Sequence, residues 1–266
     1  MDYEDLLLEK KDSIATITLN VPEKLNAVTV GIRESLPLAV DEVAKDDEVR
    51  VVIVTGAGRG FCSGADVTVM RDRQSSGSAP EVSRYERLQV TGWPFAHLFP
   101  NLDKPVIAAI NGPCAGMGFS LALSCDIRIA SEAARFGAAQ VARALVPDVG
   151  MTHFLPSVVG TSRALELMFT AEIIDATEAE RLGIVSKVVP ADELMKVTHE
   201  LATKIAQQAP IPIELTKKIV YRSMIDDITR QLDLETYGQQ ICFQTEDHKE
   251  GVRSFFEKRP PQFKGR

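Results

Sequence analysis

The chain reads as an α/β protein on three observations. Short apolar, β-branched runs alternate with segments of helical periodicity as far as Pro190. Two of those runs, VVIVT (51–55) and VIAAI (106–110), break into glycine-rich stretches and resume as helix starts. Beyond Asp192 the strand signals stop and helical runs take over. Strands alternating with helices favour parallel pairing.

Taken in order, SIATITLN (13–20) alternates apolar and polar residues with period two, the pattern of a half-buried strand. Ile32, Leu36, Val40 and Val43 follow near helical spacing within 29–45, with Thr29 placed as N-cap. VVIVT, VIAAI and IRIA (127–130) are short buried strands. The stretch 71–101 opens with polar RDRQSSGSAPE and turns helical from Tyr85 to Leu98, interrupted by Gly92 and Pro94. It reads equally as a lid beside a site and as a surface insertion. Helical runs at 193–207, 212–224 and 230–258 are separated by PIP and MIDDI. A boundary at 190–192 divides the chain into 1–191 and a helical portion, 192–266. That portion carries Leu232, Tyr237, Ile241, Phe255 and Phe256 at positions expected to be exposed, for packing on the core or on another subunit.

Apolar residues make up 45% and charged residues 25%, the balance of an ordinary globular protein with a substantial core. No apolar run is long enough to span a membrane. The opening MDYEDLLLEKK is acidic and amphipathic, unlike a secretory or transit segment, so a cytoplasmic location is expected. Four cysteines without CxxC pairs or interleaved histidines are expected as reduced thiols, and no metal site is expected. A net charge of −7 argues against nucleic acid as the main partner. It leaves room for a phosphorylated small ligand met by local Lys and Arg.

The stretches VVIVTGAGRGFCSGAD (51–66) and VIAAINGPCAGMGFSLALSCD (106–126) carry the chemistry. A helix start leaves backbone N–H groups without intrahelical acceptors, and glycine permits close approach to the backbone. Two such starts facing one another make an oxyanion hole. Glycines serving only tight turns are the plainer alternative for either stretch alone. GAGRG (56–60) is no dinucleotide fingerprint, since Phe61 stands at the third glycine position, and the P-loop ending is missing. FCSGA does not fit a nucleophile elbow.

With PEKLNAV (22–28), ARFGAAQV (134–141), RLGIVSKVVP (181–190) and FFEKRPPQF (255–263), these stretches form an ordered set that resembles the crotonase superfamily, or enoyl-CoA hydratase/isomerase family, over nearly the whole chain. The resemblance implies a ββα spiral core followed by a helical trimerisation region, assembled as a homotrimer or a dimer of trimers. It implies a coenzyme A thioester as substrate and no separate cofactor. It places the oxyanion hole on the backbone N–H groups of Ser63 and Met117, with Met117 narrowing the acyl pocket. It places CoA contacts at Lys24, Ala27, Ala65 and Asp66, and a phosphate contact at Lys258, made within the chain or across a subunit boundary, with an ordinary surface lysine as the plainer alternative.

The hydratase pattern of that family carries two glutamates, at positions matched here by Ser120 and Gln140. Neither is a carboxylate base. Asp148, in VPDVG, resembles instead the single aspartate of members that isomerise double bonds in enoyl-CoA or ring-derived thioesters. One carboxylate within reach of C2 and C4 can move the proton while the hole holds the dienolate. The expected activity is therefore a Δ3 to Δ2 isomerisation. The alternatives are a hydratase without the usual glutamates and a non-catalytic acyl-CoA-binding homologue. For Asp148 itself the plainer role is the N-cap of a helix beginning near Val149.

Overall fold

A computed structural model of the chain describes residues 3–66 and 95–264. The segment expected to be a lid or insertion lies largely outside the described residues; of it, Phe95–Leu98 form a short helix, α2. The strands β1 (Leu6–Lys11), β2 (Ile14–Leu19), β3 (Val51–Gly56), β4 (Val106–Ile110), β6 (Ile127–Ser131) and β9 (Lys187–Val189) form a sheet in the order β1-β2-β3-β4-β6-β9. β1 pairs antiparallel with β2, and every other pairing in this sheet is parallel. A smaller sheet, β5 (Pro113–Ala115), β7 (Arg135–Gly137) and β8 (Ile173–Asp175), lies beside it. β1 was not evident as a strand: LLLEKK lacks alternation, and its pairing with β2 along the full length makes it one.

Helix α1 (Val30–Ala44) starts where expected, with the Thr29 hydroxyl accepting from Ile32 N at 3.1 Å. Its apolar face, Ile32, Leu36, Val40 and Val43, joins the main core. β3 is buried along its whole length. Side chains alternate across a strand, so Val52 and Val54 enter that core. Val51 and Ile53 point to the opposite face, against α7 (Leu194–Ala206). The helical portion after Asp192 thus begins by covering the sheet.

α3 (Met117–Leu123), α4 (Met151–Val159), α5 (Thr161–Thr170) and α6 (Ala176–Arg181) lie between the strands. MIDDI does not separate two helices: α8 runs unbroken over Pro210–Phe243. The segment holds neither glycine nor proline, so nothing in it breaks the hydrogen-bond ladder. The real break is at 244–245, where the Thr245 hydroxyl accepts from His248 N and starts α9 (Glu246–Glu257). Leu232, expected to be exposed, is buried on the core-facing side of α8; Tyr237, Ile241 and Phe255 are exposed, and Phe256 is half-buried. Among the described residues no helix is long and apolar enough to cross a membrane. All four cysteines are free thiols, and burial pushes Cys62 up to about 12.

Candidate active site

The carboxyl ends of β3 and β4 lead into the two glycine-rich stretches, which are bonded to each other. Phe61 N and Cys62 N both donate to Pro113 O, and Ala115 N donates to Cys62 O. At Gly118 an added Cβ would lie 2.2 Å from Cys62 O, so only glycine admits this approach. Gly64, at φ +105°, brings its backbone against the start of α3: a Cβ there would lie 3.5 Å from Met117 N.

Two amides, the buried Asn26 and the half-buried Asn111, hold the first stretch in shape. Asn26 accepts from Val21 N and donates to Gly60 O at 2.7 Å and Ala57 O at 3.0 Å. Asn111 donates to the carbonyls of Gly56, Gly58 and Gly60. These are the asparagines of PEKLNAV and AINGP, and their work is to satisfy carbonyls that no ladder reaches.

A cavity of about 460 Å³ opens beside the joined stretches. It gathers Lys24, Ala27, Ser63, Ala65, Asp66, Met117, Gln140 and Asp148, so all but one of the expected site residues meet there. The exception is Lys258: it sits exposed at the end of α9 in a left-handed conformation, outside the lining. Phe255, one turn earlier in the same motif, lines the cavity instead and stacks on the Arg143 guanidinium at 4.6 Å. Lys24 and Asp66 bind each other at 2.8 Å. The two backbone donors differ. Met117 N–H opens α3, where the helix offers it no acceptor. Ser63 N–H already donates to Leu25 O at 3.0 Å in this conformation.

Asp148 does not cap a helix with its side chain. α4 begins at Met151 behind Gly150, and the Asp148 carboxylate turns to two amides. Gln140 Nε2 reaches Oδ1 at 3.2 Å and Gln239 Nε2 reaches Oδ2 at 2.9 Å, while the Ser120 hydroxyl donates to the Asp148 carbonyl at 2.8 Å. Ser120 and Gln140, which stand where the resemblance places acids, therefore both hydrogen-bond to Asp148. Burial raises the Asp148 pKa, opposed by the donors Gln140 and Gln239. Val149, at φ +56°, is a β-branched residue in the left-handed region, next to Gly150 at φ +77°.

The cap that Asp148 does not supply comes from α8. Glu235 accepts from Gly150 N at 2.9 Å and Thr152 N at 3.1 Å, and also from the Thr152 hydroxyl. Burial lifts its pKa to about 7, with the charge of Asp148 adding to the rise. Sequence reading missed Glu235 and Gln239. Their signal was present: Ile228, Leu232, Glu235 and Gln239 recur at helical spacing, and two polar residues stand in a buried apolar stripe.

Over nearly its whole length the chain is similar to known proteins. A family described as "Enoyl-CoA hydratase/isomerase" matches residues 9–266. The chain is 38% identical to a short-chain-enoyl-CoA hydratase of Clostridium acetobutylicum, over 97% of each chain. It is 36% identical to a 1,2-epoxyphenylacetyl-CoA isomerase of Escherichia coli, over 99% of each. A crystal structure of an enoyl-CoA hydratase from Mycobacterium avium subsp. paratuberculosis superposes with a TM-score of 0.86 at 30% identity, covering 99% of this chain and 100% of that one.

Proposed function

Because the chain belongs to the enoyl-CoA hydratase/isomerase family, we propose that its cavity holds an enoyl-CoA thioester and moves the double bond from the 3,4 to the 2,3 position, with Asp148 carrying the proton. One observation carries this reading. The two family positions that would hold hydratase acids are Ser120 and Gln140, and both hydrogen-bond to Asp148.

The thioester oxygen sits against Met117 N–H, and Ser63 N–H joins by sharing the bond it now gives to Leu25 O. Asp148 takes a proton from C2, breaking the C–H bond, and the electron pair spreads through C1 and onto the oxygen as a dienolate. The proton returns to C4, which leaves C2 and C3 doubly bonded. Donors aimed at the oxygen stabilise the charge where it develops, worth about 3–4 kcal/mol per donor in acyl-transfer sites. Desolvation by burial raises the Asp148 pKa, which favours uptake of the proton from C2. Lys24, Ala27, Ala65 and Asp66 border the cavity beside Ser63 and take the CoA arm; Arg59 and Arg143 in the lining suit its anionic groups.

Hydration is the second reading, favoured by the similarity to the Clostridium enzyme. A 3-enoyl-CoA followed by ultraviolet absorbance should become the conjugated thioester, and Asp148→Asn should slow turnover by about 100-fold or more. Full activity in that variant would remove Asp148 from the chemistry. Release of 3-hydroxyacyl-CoA from a 2-enoyl-CoA at a comparable rate would favour hydration.

A further inference from the structure

α8 reaches the Asp148 loop on a face that the cavity does not touch. Gly238 lets the helix come close, since a Cβ there would lie 2.8 Å from Val146 Cγ2. The next residue, Gln239, donates from one amide nitrogen to both Val146 O and Asp148 Oδ2, at 2.9 Å each. One turn earlier Glu235 accepts from Gly150 and Thr152, and Gln231 Nε2 donates to the Thr152 hydroxyl at 2.8 Å. A single helix face thus grips both sides of the Asp148-Val149-Gly150 turn.

Gln140 and Gln239 divide the two oxygens of the carboxylate between them. Gln140 lines the cavity and bonds Oδ1; Gln239 lies outside the lining and bonds Oδ2. The amide oxygens of Gln140 and Gln239 are both buried without a partner among the described residues. Only Gln140 can make a half-turn, presenting an acceptor to a protonated Oδ1, without giving up a bond to the backbone. Gln239 is tied to Val146 O and is not free to turn without losing that bond.

We propose that Gln239 is a positioning residue that fixes Oδ2 of Asp148, leaving Oδ1, beside Gln140, as the oxygen that takes and returns the proton, and that Glu235 anchors the turn bearing it. This rests on the reading of Asp148 as the proton carrier. The groups facing the carboxylate are Gln140 from the turn at Val141–Arg143, Gln239 from α8, and the charge of Glu235 on the same helix.

The test compares Gln239→Leu and the isosteric Gln239→Glu with the unaltered chain, using a 3-enoyl-CoA and an infrared titration of the Asp148 carboxyl assigned by difference against Asp148→Asn. Gln239→Leu should lower kcat about tenfold with KM within about twofold. It should also move the acid limb of kcat, and the infrared titration, up by about one pH unit. Gln239→Glu, which keeps the shape and reverses the donor, should move both further. A loss of thermal stability in both variants, with kcat and the titration unmoved, would mean that Gln239 only packs the helix and would overturn the proposal. If Asp148→Asn keeps full turnover, the reading of the reaction fails and with it the proton-carrying role of Oδ1. The infrared shift then still decides whether Gln239 holds the carboxylate.

Discussion

Gly118 shows how narrow the tolerance of the site is at single residues. Its missing Cβ leaves room for Cys62 O and Cβ, which would stand 2.2 and 2.6 Å from an alanine methyl. The carbonyl is backbone and already accepts from Ala115 N, so it has little room to yield. Gly118→Ala should destabilise the fold by about 1–3 kcal/mol, read as a lower urea midpoint. It should also lower kcat, because it pries apart the stretches that carry Ser63 and Met117. An unchanged midpoint would show that the two stretches are not held in contact. The same scale explains why PEKLNAV was legible as a motif but not as a scaffold. Asn26 is wholly buried, and its three bonds to Val21, Ala57 and Gly60 appear only once the chain has folded back.

Among the elements, α8 departs furthest from what its sequence suggested. Glu235 is held at about 7 by burial, so the folded chain keeps a proton there that the unfolded chain releases in the ordinary glutamate range, near about 4.3. In that window the folded state binds more protons. The stability it contributes is therefore fully present below the window and is lost as pH rises through about 7. Glu235→Gln should remove this slope. The urea midpoint of the unaltered chain should fall relative to the variant between about pH 4.5 and 7.5. Parallel profiles would show that Glu235 titrates normally. The helix start at Thr29 and the strands β2, β3, β4 and β6 were readable because each is set by its own residues: a capping hydroxyl, period-two alternation and β-branched runs. The three-residue strands β5, β7 and β8 were not, since a run that short acquires strand character only from its partners.

For the whole molecule, the described surface leaves large apolar side chains uncovered. Leu234, Tyr237 and Ile241 lie at helical spacing on one stripe of α8 and are 63%, 65% and 51% exposed. Phe169, Ile173 and Ile219 are more than two-thirds uncovered as well. Patches of this kind on a folded chain mark association surfaces. From this surface, together with the assembly that the family resemblance implies, we propose that the chain runs as a trimer or a dimer of trimers, to be read by light scattering. The double variant Leu234→Lys with Ile241→Lys should shift it to smaller species if the α8 stripe is part of that contact. A monomer in the unaltered chain at micromolar concentration would rule the assembly out.

The residues by themselves determined the α/β order, the two glycine-rich stretches, the absence of glutamate at 120 and 140 and the presence of Asp148. All of these are local signals, written within a few positions. Tertiary structure alone decided what those groups touch. It paired Lys24 with Asp66, turned Ser63 N–H to Leu25 O and kept Lys258 out of the cavity. It brought Gln239 to Asp148 across 91 positions of sequence. Periodicity can say that a helix has a face, but it does not say which loop that face will meet. The partners of a buried carboxylate are set by that meeting.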